Sequence, residues 1–274
     1  ILAGDGADTI SGGDDNDTIN ALSGDDIVDG GNGDDYLVAG IDADTLLGGA
    51  GNDTLQANMD SLGDSLSGGG GADTILGGEG ADTMSGGDDA DTIHGGAGND
   101  FIEGAEGNDT VFGIAGDDTL LGGDGADTLA AGSGSDADSL DGGVGTDMAT
   151  YADALSGVVV DLGTGTATGG AGNDSLTSIE VVLGSIFNDT LTGGNAAETL
   201  IGGNGDDRLV GGNGADSLSD GSGADTLSGL LADNTDDGVA DTLAGGNDND
   251  TYLVAVGRDS VTEVAGGGID TVLL

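Results

Sequence analysis

A nine-residue unit recurs along almost the whole chain, and no other feature limits the fold as much. Gly30-Gly31-Asn32-Gly33-Asp34-Asp35-Tyr36-Leu37-Val38 reads GGxGxDxUx, with U a large apolar residue. Gly48–Gln56, Gly95–Glu103, Gly122–Ala130, Gly202–Val210 and Gly211–Ser219 repeat it. Roughly two dozen units, degenerate copies included, can be laid end to end. One such unit cannot cover its own apolar residue, so it must stack on its neighbours as a solenoid.

Each position has a physical reason. The glycines permit positive φ and close backbone approach in a tight turn, whose carbonyls can then converge on one ion. The sixth-position aspartate is a hard oxygen donor at the end of that turn, the type Ca²⁺ prefers. It recurs at Asp8, Asp17, Asp26, Asp35, Asp44, Asp53, Asp73, Asp82, Asp91, Asp100, Asp109, Asp118 and Asp127. The last three positions predict a very short strand with the eighth residue inward, as at Ile10, Ile19, Val28, Leu37, Leu46 and Leu55. The seventh is usually threonine, suited to an exposed strand position. Two units make one flattened coil, and stacked coils bring like turns about 4.8 Å apart. Aspartates of adjacent turns then repel unless a divalent cation lies between them.

Composition sharpens this. There are 62 glycines, no proline, no cysteine, and 53 acidic residues against Arg208 and Arg258, for a formal charge of −51. Without a cation that balance reads as intrinsic disorder. A surface so acidic repels nucleic acid and anionic lipid. No apolar run approaches the roughly 18 residues of a membrane span, so no membrane insertion is expected. The first residues show no cationic segment followed by an apolar stretch. A disulfide framework is excluded, but a metal can take its place as the staple.

In tandem and in register, these units resemble the RTX, or hemolysin-type calcium-binding, repeats, over nearly the whole chain. The resemblance implies an all-β fold, a right-handed parallel β-roll or β-solenoid with Ca²⁺ between turns. It implies many ions, about one per repeat. It also implies a bacterial protein, extracellular or on the cell surface, exported by type I secretion and folded outside the cell. The metal-ligand role carries over to the aspartates above and to Asp64, Asp138, Asp147, Asp174, Asp189, Asp207, Asp216, Asp225, Asp241 and Asp250. Glu198 stands at the sixth position of GGNAAETLI, which implies a weaker or altered site.

The register breaks in a few places. Ala57–Ser67 and Ala131–Asp141 are eleven-residue versions that keep Asp64 and Leu66, and Asp138 and Leu140. Their two extra residues are expected to bulge from a turn. Gly229–Ala244 is longer and is expected to loop out before Asp241 and Leu243 restore the pattern. The fourth-position glycine becomes aspartate at Asp15, Asp42, Asp89 and Asp248, a residue that tolerates left-handed backbone. Val158, Val160 and Leu162 alternate within Tyr151–Thr168, a strand signal. The expected organisation is a first roll over 1–150 and an insert with a strand and one repeat over 151–183 that continues the solenoid. A second roll follows over 184–253. The terminal segment, 254–274, resembles one that usually leads into further repeats, so the chain is expected to be part of a longer protein. Asp270–Leu274 alternatively reads as a type I export terminus.

Catalytic ingredients are scarce, and no enzyme is expected. His94 is the one histidine and falls at an outward ninth position. There is no HExxH, no cysteine nucleophile and no lysine for a phosphate loop. Paired acids such as Asp34/Asp35 follow from the repeat rather than from glycosidase chemistry. The expected partners are calcium ions, with self-association end to end or into a surface array as a further expectation. The reading favoured is a structural and folding module of a secreted or surface protein (an adhesin, surface-layer or fibre type). The alternative is the C-terminal secretion and folding domain of an extracellular enzyme whose catalytic domain lies elsewhere.

Overall fold

The computed structural model describes residues 1–58, 60–231, 235–263 and 267–274. Residues 232–234 of the longest interruption and 264–266 of the terminal segment therefore lie outside the described residues. Every regular element among the described residues is a β-strand. They fall into two compact units, Ile1–Gly132 with Asp136–Asp147, and Ser133–Ser135 with Met148–Leu274.

The first unit is a parallel solenoid with two strands per coil. One sheet runs from Thr9–Asp14 through Ile27–Asn32, Thr45–Ala50, Ser65–Gly70, Thr83–Asp88, Phe101–Glu106 and Thr119–Gly125 to Ser139–Gly145, each strand parallel to the next. The other runs from Thr18–Ser23 through Tyr36–Ile41, Thr54–Gln56, Thr74–Glu79, Thr92–Ala97 and Thr110–Ala115 to Thr128–Gly132. Most of these strands are six residues long, twice the expected length, because pairing continues past the ninth position into the glycines (Gly13 opposite Gly31). Glycine is needed there for space: a Cβ on Gly49 would collide with the Gly31 carbonyl of the previous coil. The fourth-position aspartates Asp15, Asp42, Asp89 and Asp248 do adopt positive φ, at 72°, 84°, 71° and 76°.

Inside, the eighth-position residues stack in register. Ile19 lies opposite Leu37 and Ile93 opposite Val111, all fully buried. The lengthened units do not disturb this: Leu46 pairs with Leu66 across twenty residues where other coils use eighteen. The two extra residues leave the ladder, because a slip of one residue would turn every apolar side chain outward.

In the second unit the strands are mostly three residues long. Val158–Asp161, Thr190–Thr192, Arg208–Val210, Thr226–Ser228, Thr251–Leu253 and Thr271–Leu273 form one parallel series. Met148–Thr150, Val181–Leu183, Thr199–Ile201, Ser217–Ser219, Thr242–Ala244 and Ser260–Thr262 form the other. The strand expected near Val158 is present, but 169–177 does not fold as a coil. Thr166–Gly169 pairs antiparallel with Val158–Asp161 and with Gly172–Thr177, making a meander. Positive φ at Gly165 and Gly169 lets the chain reverse at these points.

Candidate metal centre

The sixth-position aspartates form two columns in the first unit. The backbone N–H of each donates to Oδ1 of the aspartate one coil further on, at 2.7–2.9 Å. One column runs Asp8, Asp26, Asp44, Asp64, Asp82, Asp100, Asp118, Asp138. The other runs Asp17, Asp35, Asp53, Asp73, Asp91, Asp109, Asp127, Asp147. Asp8 and Asp17 are half-buried and the rest are buried.

In most of these residues the other carboxylate oxygen meets no donor. In Asp17, Asp26, Asp35, Asp44, Asp53, Asp73, Asp82, Asp91, Asp100, Asp109, Asp118 and Asp127, Oδ2 is closed to solvent and meets no hydrogen-bond donor. Buried polar atoms are normally paired, and an unpaired buried anion is far more costly than a neutral group. A second hard oxygen stands close by. The space a Cβ would take on Gly12 lies 2.5 Å from Asp17 Oδ2 and 2.5 Å from the Gly30 carbonyl of the next coil. Gly48, Gly86, Gly104 and Gly122 show the same pairing of carboxylate and carbonyl. Orphaned carboxylate oxygens beside converging carbonyls are the donor set of a hard divalent cation such as Ca²⁺.

The electrostatics agree. Burial above all, with repulsion from neighbouring carboxylates, pushes Asp44, Asp91 and Asp118 up to about 7. Asp73, Asp82, Asp127 and Asp138 rise to about 6, again chiefly by burial. No basic side chain relieves them: the salt bridge found among the described residues joins Arg258 and Asp236, at 3.4 Å.

The second unit has columns of its own, less regular. One runs Asp189, Asp207, Asp225, Asp250 and the other Glu198, Asp216, Asp241, linked in the same way at 2.7–3.0 Å. The step to Asp241 and that to Asp250 each span twenty-five residues, so the columns keep their register across the longer unit, and Thr242–Ala244 rejoins the ladder. Asp259 and Asp270, absent from the ligands expected from sequence, extend the two columns. Each stands sixth in a degenerate unit, 254–262 (VAVGRDSVT) and 265–273 (AGGGIDTVL), that keeps glycine at the fourth position and valine at the eighth, a signal the sequence did offer.

Two expected ligands differ from the rest. Asp174 is buried on the middle of an antiparallel strand rather than at the end of a glycine turn. Asp189 is supplied with donors by the chain itself. Ser185 N–H donates to Oδ2 at 2.6 Å, Ser185 Oγ to Oδ1 at 2.8 Å, and Val158 N–H to Oδ1 at 2.7 Å. Glu198 keeps the column, with Oε1 accepting from Ala196 N–H at 3.0 Å and Oε2 without a donor. His94 stacks on Phe112, ring centroids 4.5 Å apart, in outward ninth positions.

The family profile of the RTX calcium-binding nonapeptide repeat matches the chain in adjoining or overlapping segments from 2–37 to 112–149, then at 161–178, 177–209, 201–236 and 240–261. The chain belongs to this family. RTX repeats form a structural calcium-binding fold, and the donor-less aspartate oxygens are where this member fits that description. No curated protein matches the chain.

Proposed function

We propose that this RTX chain is a calcium-ordered structural and folding module of a secreted or cell-surface bacterial protein, without catalytic activity of its own. The observation that carries the reading is the column of buried Oδ2 atoms with no donor. In the proposal each aspartate of the columns except Asp189, whose two oxygens have donors from the chain, is a ligand, with about one ion per repeat. Bound Ca²⁺ would supply the positive charge that lets carboxylates of successive coils lie side by side.

The chain's own residues do the rest. Oδ1 of each aspartate holds the next coil in register through a backbone N–H. The glycines keep the space beside Oδ2 open. The apolar column supplies burial but is only one residue deep per strand. A metal-free chain then has too little to offset the repulsion and ordering entropy, and unfolds. Low calcium thus keeps it extended for export, and high calcium outside the cell folds it. Division into rolls over 1–150 and 184–253, with 151–183 and 254–274 as separate segments, belongs to the same proposal.

Circular dichroism with and without calcium tests this. In chelator the spectrum is that of a disordered chain. In the range of about 10⁻⁴ to 10⁻³ M Ca²⁺ typical of extracellular sites, β signal appears and the chain compacts. A β-rich spectrum indifferent to chelator would sink the reading.

A further inference from the structure

The space beside Gly202 is unlike the one beside Gly12. In register, the unit Asp220–Ser228 begins with Asp220, where the units before it begin with Gly202 and Gly211. Its carboxylate Oδ1 enters the space beside Gly202, where the gap beside Gly12 holds a carbonyl. Asp207 Oδ2 lies in the same space, 2.6 Å from the point a Cβ would take. One carboxylate oxygen from each of Asp207, Asp220 and Asp225 lies within 4.8 Å of the others.

This is not an acidic surface patch. Asp207 is 3% exposed, Asp225 1% and Asp220 8%. Oδ2 of Asp207, Oδ2 of Asp225 and both oxygens of Asp220 are closed to solvent and meet no donor. Three carboxylates this close repel strongly in a low-dielectric site. Asp207 Oδ1 and Asp225 Oδ1 accept from backbone N–H groups, so four of the six oxygens are orphaned. A proton shared between Asp220 and Asp207 would still leave Asp225 Oδ2 and one oxygen of Asp220 without a partner. A single cation answers all three at once.

We propose that Asp207, Asp220 and Asp225 form a discrete cation site, different in kind from the gaps of the repeat, which takes a hard cation of charge two or three and fills before them. The proposal deepens the calcium reading and rests on it. An added carboxylate in place of a neutral carbonyl raises the charge of the site, and affinity in oxygen-ligand sites is tuned by that charge. The coil around it would then be the first to order as cation is added.

The test uses the full chain and two variants. Asp220→Gly restores the residue found at Gly202 and Gly211, so the coil should still form. Asp220→Asn keeps the side-chain volume and removes the charge. Eu³⁺, excited directly and added below one equivalent, reports the first site to fill, and Ca²⁺ calorimetry reports the rest. Both variants are expected to weaken the first equivalent at least about tenfold, while the calcium-dependent β signal is retained. If the first equivalent binds as in the unaltered chain and the β response is kept, the three-carboxylate site is overturned and the calcium reading stands. If the unaltered chain shows no calcium response, both fall together.

Discussion

The turns Gly113–Asp118 in the first unit and Gly184–Asp189 in the second occupy equivalent places in the repeat but solve the same problem differently. In the first, Ile114 and Gly116 both adopt positive φ, at 87° and 125°, and Asp118 Oδ2 meets no donor. In the second, neither Ser185 nor Phe187 has positive φ. Ser185 instead folds back on Asp189, donating to both carboxylate oxygens and accepting from Phe187 N–H at 3.0 Å. A glycine turn aims no donor at its aspartate and leaves a cation to do so. A serine at the second position provides the donors and needs no cation. One sixth-position aspartate can therefore serve two ends, and what decides is the residue four before it.

The largest effect expected is on cation removal. As calcium is titrated out, peptides spanning 95–120 should lose hydrogen-exchange protection at a calcium concentration where 184–192 is still protected. Loss of both together would erase the distinction between the two turns.

Acid should act in opposite directions with and without calcium. Asp91 and Asp118 are pushed up to about 7 from 3.8, by burial first and neighbouring carboxylates after it. A carboxyl whose folded value lies above its unfolded value stabilises the fold fully below the unfolded value. That stability is lost as pH rises through the folded one. In chelator, β signal should therefore return as pH falls from about 7 toward 4. In saturating calcium the same acidification should weaken binding, because protons compete for the ligand oxygens. Calcium titrations followed by circular dichroism at several pH values measure both.

Single substitutions come next. Asp118→Ala removes an orphaned oxygen and also leaves Asp100 N–H buried without its acceptor. The expected cost is about 1–3 kcal/mol with at least one calcium lost from the stoichiometry. Ser185→Ala removes the Oγ bond to Asp189 Oδ1 and the acceptor of Phe187 N–H but keeps the backbone donor to Oδ2. It should cost about 2 kcal/mol and make Asp189 more dependent on calcium. Calorimetry showing no new calcium dependence would mean that the backbone N–H groups of residue 185 and Val158 suffice for Asp189. The smallest effect is Ile114→Gly. A β-branched residue at positive φ stores strain, and its relief should raise stability by about 1 kcal/mol in thermal unfolding at saturating calcium.

Much of this was legible in the letters. Aspartate and a large apolar residue two apart face the same side of a strand, so Asp118 and Leu120 had to turn inward together. Both are buried. The aspartates at Asp15 and Asp42 were readable as left-handed positions because few other residues tolerate them. The meander at 158–177 was not legible. Gly169–Thr177 spells the repeat, and whether such a segment coils or reverses depends on which strand edge it meets. Nor did Asp220 show itself as a site residue. Its position in the unit was visible as a departure from glycine, but its meaning required knowing that the first-position space opens onto Asp207.

The period, the inward column and the call for a hard cation can all be read from the letters. These follow from side-chain alternation and from charge, which are local and additive. Which oxygen of each aspartate is used up and which is left over comes from the stacking of coils. That depends on a backbone N–H eighteen to twenty-five residues away. Stacking brings that N–H to Oδ1 and, in Asp17, Asp26, Asp35 and the others like them, brings no donor to Oδ2, so the leftover atom is selected by neighbours that no nine-residue window contains.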